Sequence, residues 1–456
     1  MTRAAGACEP AGFRLVAEIA CDPDAARVYE HGWQSWSPTD TYPGTATSPR
    51  PVFEKADITN WRAAETPPPA TGFQGEGLVA VQPAPGAEVT VVSSPDPRRH
   101  VASIRVAATA GGLRVTANGP VRTSVDSGSH GIPGALARWA DDLVARLALP
   151  RPRPVGSMWC SWYRYWDTVT DRQVLDELRG FEPAGLDVGI VQIDDGYQAG
   201  IGDWLDPRPG FGDLGALAGH ITASGRRAGV WTAPFLAGHG SRLWRDHPDW
   251  FLAGVDAGHG WEQDLAALDL THPGALDHLT TVFRRFRAMG FSFYKLDFLY
   301  AGALPGPHAE PAPPIEVYRR GLRTIRDAVG PDAHLLGCGA PILPSLGLVD
   351  VMRVSPDTAL RLDHPSGDSS LPSSRNARVT GRAREWQHGR FWINDPDCLL
   401  ATPAMEEREQ WARWVERSAG LRTSSDAVTE LDDWGLATTR RLLRPSRPDA
   451  VPADRL

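Results

Sequence analysis

The feature that most constrains the fold is a regular alternation of short apolar segments and helical patterns that begins at Val155. Helical periodicity marks, among others, residues 170–180, 273–289 and 315–329. Seven segments have the length and composition of buried strands: 157–161, 188–193, 228–233, 291–298, 334–337, 349–354 and 391–393. An eighth strand, expected between 375 and 388, has no obvious signal. Because no GxGxxG loop follows any of the strands, the pattern predicts an α/β fold of the (β/α)8 TIM-barrel type rather than an open sheet.

The residues upstream of the barrel have a different pattern. Short alternating segments at 13–19, 88–93 and 101–107, separated by turns rich in proline and glycine, predict a small antiparallel, β-sandwich-like domain. A helical pattern at 134–149 leads into the proline-rich segment 150–154, which breaks it. We therefore expect three parts: an N-terminal β domain over 1–145, a catalytic barrel over 146–445 and a proline-rich tail over 446–456.

The composition excludes several classes of partner. The 456 residues are 42% hydrophobic and 22% charged, with a net charge of −8 and no long basic run, so nothing indicates binding to nucleic acid or an anionic membrane. No stretch reaches the roughly 18 apolar residues of a membrane span, and charges interrupt the first thirty residues, where a signal peptide would be apolar. We therefore expect a cytoplasmic protein whose partners are small or neutral molecules.

The cysteines and tryptophans narrow the chemistry further. The five cysteines are scattered without CxxC spacing, which argues against a disulfide framework and against a zinc site: Cys8, Cys21, Cys160, Cys338 and Cys398. The seventeen tryptophans are more than an average domain carries, and although most belong in a core, their flat apolar faces also suit sugar rings. This excess favours a carbohydrate ligand, whose binding needs neither a metal nor a cofactor.

Two carboxylates follow predicted strands in the manner of a catalytic pair. Asp297 ends the segment 291–298, and Asp357 comes just after 349–354. The carboxyl ends of barrel strands meet at one face, and cleavage of a glycosidic bond needs one carboxylate at the anomeric carbon and one carboxylic acid at the leaving oxygen. Other polar and aromatic residues also lie at strand ends: Trp162, Tyr163, Asp194, Asp195, Trp231, Lys295, Cys338, Arg353, Asn394 and Asp395.

Each of these residues also has a structural interpretation. Lys295 lies two residues before Asp297 on the same face of a strand, where it would keep that carboxylate ionised, or where the two would form an internal ion pair without catalytic use. Asp194 and Asp195 are suited to two vicinal hydroxyls, to Mg²⁺ or Ca²⁺, or to a tight turn. Cys338 is by default a small core residue.

Two more candidates remain open in the same way. Arg353 lies four residues before Asp357, which fits an acid that reaches outwards from its strand, but also fits a surface ion pair. Trp36 lies in the N-terminal β domain close to Trp33, where an aromatic pair belongs to the core unless one ring reaches across to the barrel mouth.

Several longer segments occur in the order known from one enzyme family. They are HGWQSWSP (31–38), MWCSWYRYW (158–166), VQIDDGYQ (191–198), YKLDFLYAGALPG (294–306), LLGCGAP (335–341), MRVSPDTA (352–359) and FWINDPDCLL (391–400). With them the chain resembles glycoside hydrolase family 36 of clan D, the bacterial α-galactosidases.

The resemblance implies roles for individual residues. Asp297 matches the family's nucleophile and Asp357 its general acid/base, which implies a retaining mechanism. It also implies a galactose site: Asp194 and Asp195 at the 4- and 6-hydroxyls, Lys295 at the 3- and 4-hydroxyls, Cys338 and Arg353 at the 2-hydroxyl, Trp162, Tyr163 and Trp231 around the ring, and Trp36 closing the pocket.

The function that this resemblance implies is a retaining exo-α-galactosidase acting on short oligosaccharides such as melibiose or raffinose. An α-N-acetylgalactosaminidase, an α-glucosidase or a transglycosylase would use the same machinery on another donor or acceptor. A non-catalytic sugar-binding protein would be expected to have lost a carboxylate, and neither Asp297 nor Asp357 is lost. The sequence leaves the natural galactoside and the oligomeric state open.

Overall fold

The computed structural model describes residues 12–50, 58–62, 67–418 and 420–444. The proline-rich tail expected over 446–456 lies outside the described residues. Across the described ranges, no helix is both long enough and apolar enough to cross a membrane.

The N-terminal region consists of two antiparallel sheets. Its strands are β1 (Arg14–Ala20), β2 (Arg27–Glu30), β3 (Asp40–Pro43), β4 (Phe73–Glu76), β5 (Leu78–Gln82), β6 (Val89–Ser93), β7 (Ser103–Thr109), β8 (Gly112–Ala117) and β9 (Arg122–Asp126). One sheet has the order β1-β8-β7-β4 and the other β3-β2-β5-β6-β9. Buried side chains from both sheets, including Val28, Val81, Ile104 and Val115, share one apolar core. Alternate residues of β5, β7 and β8 face that core, which confirms the predicted sandwich-like fold.

A helix connects the sandwich to the barrel. Helix α1 (Gly131–Leu147) buries Ile132, Leu136 and Leu143, which share one face at helical spacing. Trp139 on the same face donates its indole N–H to Ser93 of β6 at 2.8 Å. Its ring also packs edge-on against Trp386 of the barrel, with centroids 5.6 Å apart. The helix is therefore packed against both parts of the molecule.

The remaining strands build the barrel and one small accessory sheet. They are β10 (Ser157–Cys160), β11 (Ile190–Ile193), β12 (Arg227–Thr232), β13 (Leu236–Gly238), β14 (His259–Gly260), β15 (Gln263–Ala267), β16 (Phe291–Leu296), β17 (His334–Gly337), β18 (Val351–Arg353), β19 (Ile393–Asp395) and β20 (Arg422–Ser424). Eight of these pair in parallel in the order β19-β18-β17-β16-β12-β11-β10-β20. The amide of Leu421 donates to the Asn394 carbonyl at 2.6 Å and that of Leu399 to the Thr423 carbonyl at 2.7 Å, so the outer strands meet. The predicted (β/α)8 barrel is confirmed.

The helices alternate with these strands. They are α2 (Trp162–Tyr165), α3 (Asp171–Phe181), α4 (Leu214–Ala223), α5 (Arg242–Asp246), α6 (Pro273–Met289), α7 (Pro314–Val329), α8 (Ser374–Ala383), α9 (Arg408–Arg417) and α10 (Asp433–Leu443). Local signals set their ends. The side chain of Thr170 caps α3 with Gln173 in a reciprocal capping box, and α6 begins at a proline and ends at Gly290 in a left-handed conformation.

The expected position of the eighth barrel strand is wrong. Residues 374–383 form α8, whose N-terminus is capped by Ser373 accepting from the Asn376 amide at 3.1 Å. The eighth strand is β20, which has only three residues, Arg-Thr-Ser. So short and polar a segment has no apolar alternation to detect. It becomes a strand because β10 pairs with it on one side and Leu399 on the other.

Candidate active site

The barrel strands bring the predicted polar residues to one end of the molecule. Asp194 and Asp195 follow β11, Asp297 follows β16, and Asp357 lies four residues beyond the end of β18. Because all eight strands are parallel, their carboxyl ends form a single mouth, which is where barrel enzymes carry their active sites. The mouth is therefore the candidate active site.

Lys295 lies between two carboxylates in this mouth. Its ammonium Nζ is 2.9 Å from Asp194 Oδ2 and 3.8 Å from Asp297 Oδ2, and the three side chains are all less than a tenth exposed. Burial alone would lower the pKa of Lys295, but the Asp194 and Asp297 carboxylates outweigh it and hold that pKa well above its ordinary value. The cation therefore stays charged and neutralises part of the negative site.

The two adjacent aspartates after β11 accept several further hydrogen bonds. Gln192 Nε2 donates to Asp194 Oδ2 at 2.5 Å. Asp195 accepts from Gln198 Nε2 at 2.5 Å and from the indole N–H of Trp261 at 2.7 Å. Burial raises the pKa of Asp195 to about 6, although the Trp261 and Gln198 bonds act to lower it. Both carboxylates are thus fixed in orientation as acceptors before any ligand binds.

Asp297 is held by groups from the neighbouring strand and from its own turn. The indole N–H of Trp231 donates to Oδ2 at 3.0 Å, and the Phe298 amide donates to Oδ1 at 2.9 Å. Phe298 itself has a φ of +51°, a left-handed conformation that is uncommon for a non-glycine residue. Such backbone is typical of functional sites, and here it turns the chain sharply just after the carboxylate.

Arg353 joins a second group of carboxylates. Its guanidinium contacts Asp357 through Nη1 at 2.7 Å, Asp395 through Nε at 3.3 Å and Asp397 through Nη2 at 2.9 Å. Its side chain is only 4% exposed, whereas that of Asp357 is 34% exposed, so the pair is not a surface ion pair. Asp357 is the member of the group that opens to the mouth.

The surroundings of Asp357 favour a protonated carboxyl. Burial at the base of the mouth raises the pKa of Asp357 to about 6, Arg353 lowers it, and the Asp397 carboxylate raises it again. Near neutral pH this group can therefore hold and release a proton.

Aromatic rings surround the charged groups. The Trp231 ring packs edge-on against Trp204 and Trp261, with centroids 5.7 and 6.1 Å away. On the side of α2, Trp162 is half-buried and lies beside the exposed ring of Trp166 at 4.9 Å, and the Tyr163 hydroxyl donates to Asp397 at 2.5 Å.

Trp36 reaches the mouth from the N-terminal region. Its ring packs edge-on against Phe298 at 5.0 Å. A close contact supports it from below, because a Cβ on Gly339 (φ +51°) would come within 2.8 Å of the Trp36 ring. The loop that carries Trp36 is tied to the barrel by the Ser35 amide, which donates to the Ala340 carbonyl at 3.0 Å.

Cys338 lies in the floor of the site. It is buried, and Trp36 packs against the cluster that contains it. Burial and then the nearby Asp297 carboxylate hold the pKa of Cys338 well above its ordinary value, so the thiol is neutral. It is therefore both a core residue and a neighbour of the candidate catalytic group.

The structure thus brings the predicted residues of this site to one region and adds two that sequence reasoning missed. Trp261 lies in the turn between β14 and β15 with a φ of +49°, and no motif marks it. Asp397 belongs to the segment FWINDPDCLL, where its spacing of two residues from Asp395 was an available signal. As far as the described residues extend, no group of three or more His, Cys, Asp or Glu side chains is arranged to hold a metal ion.

Comparison with known proteins finds similarity to α-galactosidases. The Melibiase family model matches residues 152–298, which include Asp194, Asp195 and Asp297. An α-galactosidase from Thermus thermophilus, solved with stachyose, has a TM-score of 0.78 and 29% identity, over 93% of this chain and 91% of that one. These comparisons support an assignment to the α-galactosidase family. The resemblance implied by the motifs is thereby confirmed.

Other α-galactosidases are less similar to this chain or match it over shorter stretches. A probable α-galactosidase C from Aspergillus flavus is 26% identical over 182 residues, which are 35% of this chain and 24% of that protein. The match therefore spans about a quarter of the length of this curated relative. The family 36 α-galactosidase AgaA from Geobacillus stearothermophilus shares the fold at a TM-score of 0.62 and 14% identity, over 92% of this chain and 61% of that one.

Proposed function

We propose that this protein is a retaining exo-α-galactosidase with Asp297 as nucleophile and Asp357 as general acid/base. The observation that carries the proposal is the contrast between the surroundings of the two carboxyl groups. Asp297 lies 3.8 Å from the Lys295 ammonium and accepts two N–H bonds, so a cation and two donors surround its carboxyl group. Burial raises the pKa of Asp357 to about 6, which favours an acid. Two carboxyls with opposed environments are the arrangement that acid and nucleophile need.

In the proposed reaction Asp297 attacks the anomeric carbon while Asp357 gives its proton to the departing glycosidic oxygen. The aglycone leaves as an alcohol, and a covalent galactosyl ester on Asp297 remains. Asp357, now a carboxylate, removes a proton from a water molecule that attacks the same carbon. The ester bond breaks, and both carboxyl groups return to their starting states with α-galactose released.

Asp194 and Asp195 are the proposed acceptors for the 4- and 6-hydroxyls of galactose, and Lys295 is proposed to reach the 3- and 4-hydroxyls. Galactose differs from glucose in its axial 4-hydroxyl. When glucose binds, the buried carboxylate that would accept from this hydroxyl loses its hydrogen-bond donor, which costs binding free energy. Sites that bond a substrate hydroxyl therefore discriminate strongly. Complexes of the Thermus protein with stachyose and with p-nitrophenyl α-galactopyranoside support short α-galactosides as the proposed substrate class.

Turnover of three p-nitrophenyl α-glycosides, the galactoside, the N-acetylgalactosaminide and the glucoside, tests this proposal. Strong preference for the galactoside is expected. Preference for the acetylated sugar would contradict the placement of Cys338 and Arg353 against the 2-hydroxyl, and preference for the glucoside would contradict the role of Asp194 and Asp195. No activity on any of them would refute the proposed function.

Azide rescue tests the two catalytic roles. In Asp297→Ala, azide should enter from the side of the missing carboxylate and form β-galactosyl azide from p-nitrophenyl α-galactoside. In Asp357→Ala, azide should attack the galactosyl ester from the opposite side and form α-galactosyl azide. Exchanged products would reverse the assignment. If both variants lost less than about tenfold in rate, the assignment of the two catalytic roles would be wrong, since a catalytic carboxylate accelerates the reaction by far more than that.

A further inference from the structure

Asp397 is a fully buried carboxylate at the barrel mouth. The proposed double-displacement reaction gives it no role. It follows β19 and has a φ of +80°, a left-handed conformation. Four groups bind it: Arg353 Nη2 at 2.9 Å, the Tyr163 hydroxyl at 2.5 Å, the Thr358 amide at 2.7 Å and the amide of Cys398 at 2.7 Å. A charged group so buried and so fully bonded has a fixed position.

The fixed carboxylate of Asp397 holds the Arg353 guanidinium in place. Three of its nitrogens each face a different carboxylate, and the Asp397 amide in turn donates to Asp395 at 3.0 Å. A guanidinium is a rigid planar fork, so anchoring Nη2 and Nε leaves Nη1 aimed at Asp357. Asp397 also bonds the amide of Thr358, the residue that follows Asp357, and so fixes the start of the loop that carries the acid.

We infer that Asp397 is a positioning residue for the acid/base: it fixes the Arg353 guanidinium and takes up part of its charge, so that Asp357 can keep the proton it has to deliver. The inference rests on the proposed function, because it assumes that Asp357 is the acid.

The charges around Asp357 agree with this role. Arg353 and Lys295 favour the Asp357 carboxylate, whereas Asp397 and Asp297 oppose it. Burial alone would lower the pKa of Arg353, but Asp397 and then Asp395 hold that pKa well above its ordinary value. Without Asp397 the undiminished charge of Arg353 would act on Asp357, which would then be held as an anion. Tyr163 also lies near Asp357 and stays neutral, since burial raises its pKa well above the ordinary value.

Asp397→Asn removes the charge and keeps the shape, and asparagine tolerates a left-handed backbone. We expect the basic limb of the kcat/KM profile to move down by about one pH unit, the lower end of the effect of an opposite charge. At neutral pH this lowers kcat/KM about tenfold for substrates such as melibiose, whose sugar leaving group needs a proton. With 2,4-dinitrophenyl α-galactoside, whose leaving group needs none, the loss should be less than about twofold.

Asp350→Asn is the matched control. Asp350 is a largely buried carboxylate between Arg153 and Arg326 at the opposite end of the barrel, so its loss disturbs an ion-pair network without touching the mouth. Its profile should match the wild type for both substrates. A merely structural role for Asp397 would lower both activities equally and leave the limb in place, and that result would overturn the inference.

The proposed function is judged separately in the same experiment. If Asp357→Ala loses melibiose turnover and still forms α-galactosyl azide, the acid/base assignment stands, and an unmoved limb in Asp397→Asn refutes the positioning role alone. If Asp357→Ala keeps the wild-type profile, the acid/base assignment fails and the role of Asp397 fails with it.

Discussion

Replacing Lys295 by methionine removes the positive charge that lies between Asp194 and Asp297 while keeping a side chain of similar length. Both carboxylates then remain buried, since their side chains are only 2% and 9% exposed. Asp194 also loses the hydrogen bond from Nζ at 2.9 Å. The change therefore separates the electrostatic role of Lys295 from its role in filling the site.

The distances give the size of the effect. At 3.8 Å and an effective dielectric constant of about 20, the ammonium stabilises the Asp297 carboxylate by about 4 kcal/mol. The variant loses this stabilisation, and water that enters the vacated space makes the loss smaller, so we expect the acidic limb of kcat/KM to move to higher pH. Breaking a buried ion pair also costs about 3–5 kcal/mol of stability.

The assay is the pH profile of kcat/KM for p-nitrophenyl α-galactoside, measured together with urea unfolding at each pH. Activity should be lost most at acidic pH and partly recover as the pH rises. The loss of stability should be larger at neutral than at acidic pH, because protonation removes the negative charges that the variant leaves unpaired. A loss of activity that is equal at all pH values would refute the reasoning.

Arg326→Met is the control for this experiment. Arg326 pairs with Asp350 at the other end of the barrel and is 21% exposed. Its loss should lower the unfolding free energy, by less than the loss of Lys295 because water screens it more, and leave the acidic limb in place. A shift of the limb in this variant would mean that lower stability, and not the missing charge, moves the profile.

Two further predictions concern other buried carboxyls. Trp261→Phe removes a hydrogen bond to charged Asp195 worth about 1.5–3 kcal/mol, so KM for galactosides should rise at least about tenfold and kcat change less, and an unchanged KM in steady-state kinetics would contradict it. Burial raises the pKa of Asp426 to about 7, so its contribution to stability is full below about pH 4 and is lost as the pH rises through about 7. Asp426→Asn can still accept from the Ala401 amide but cannot titrate. Its unfolding free energy in urea should therefore fall by about 4 kcal/mol less than that of the wild type over this pH range. The same pH dependence in both proteins would refute the prediction.

The accuracy of the sequence-based predictions depended on how local the signal was. Helix α6 begins and ends at the predicted residues because a proline at its start and Gly290 at its end are local signals. Strand β17 has the predicted bounds for the same reason, as a short apolar run. Strand β20 was missed because three polar residues carry no such run, and only the pairing of β10 with it makes it a strand.

The same distinction applies to the candidate site. Asp194 and Asp297 were found because each follows a buried strand, and parallel strands in a barrel must end at one face. Trp261 was missed because its bond to Asp195 joins residues 66 positions apart, through a turn that has no pattern of its own. The assigned catalytic roles of Asp297 and Asp357 stay predictions until the azide experiment is done.

By itself, the sequence determined the barrel, the sandwich before it, and the end of the molecule at which the carboxylates would meet. These follow from apolar periodicity and from the geometry of parallel strands, which act over a few residues at a time. Only the tertiary structure decided which charged groups form ion pairs. Lys295 pairs with Asp194 and Asp297, and Arg353 pairs with Asp357, Asp395 and Asp397. The strength of those interactions depends on distances of a few ångströms and on burial, and both arise only when distant segments pack together.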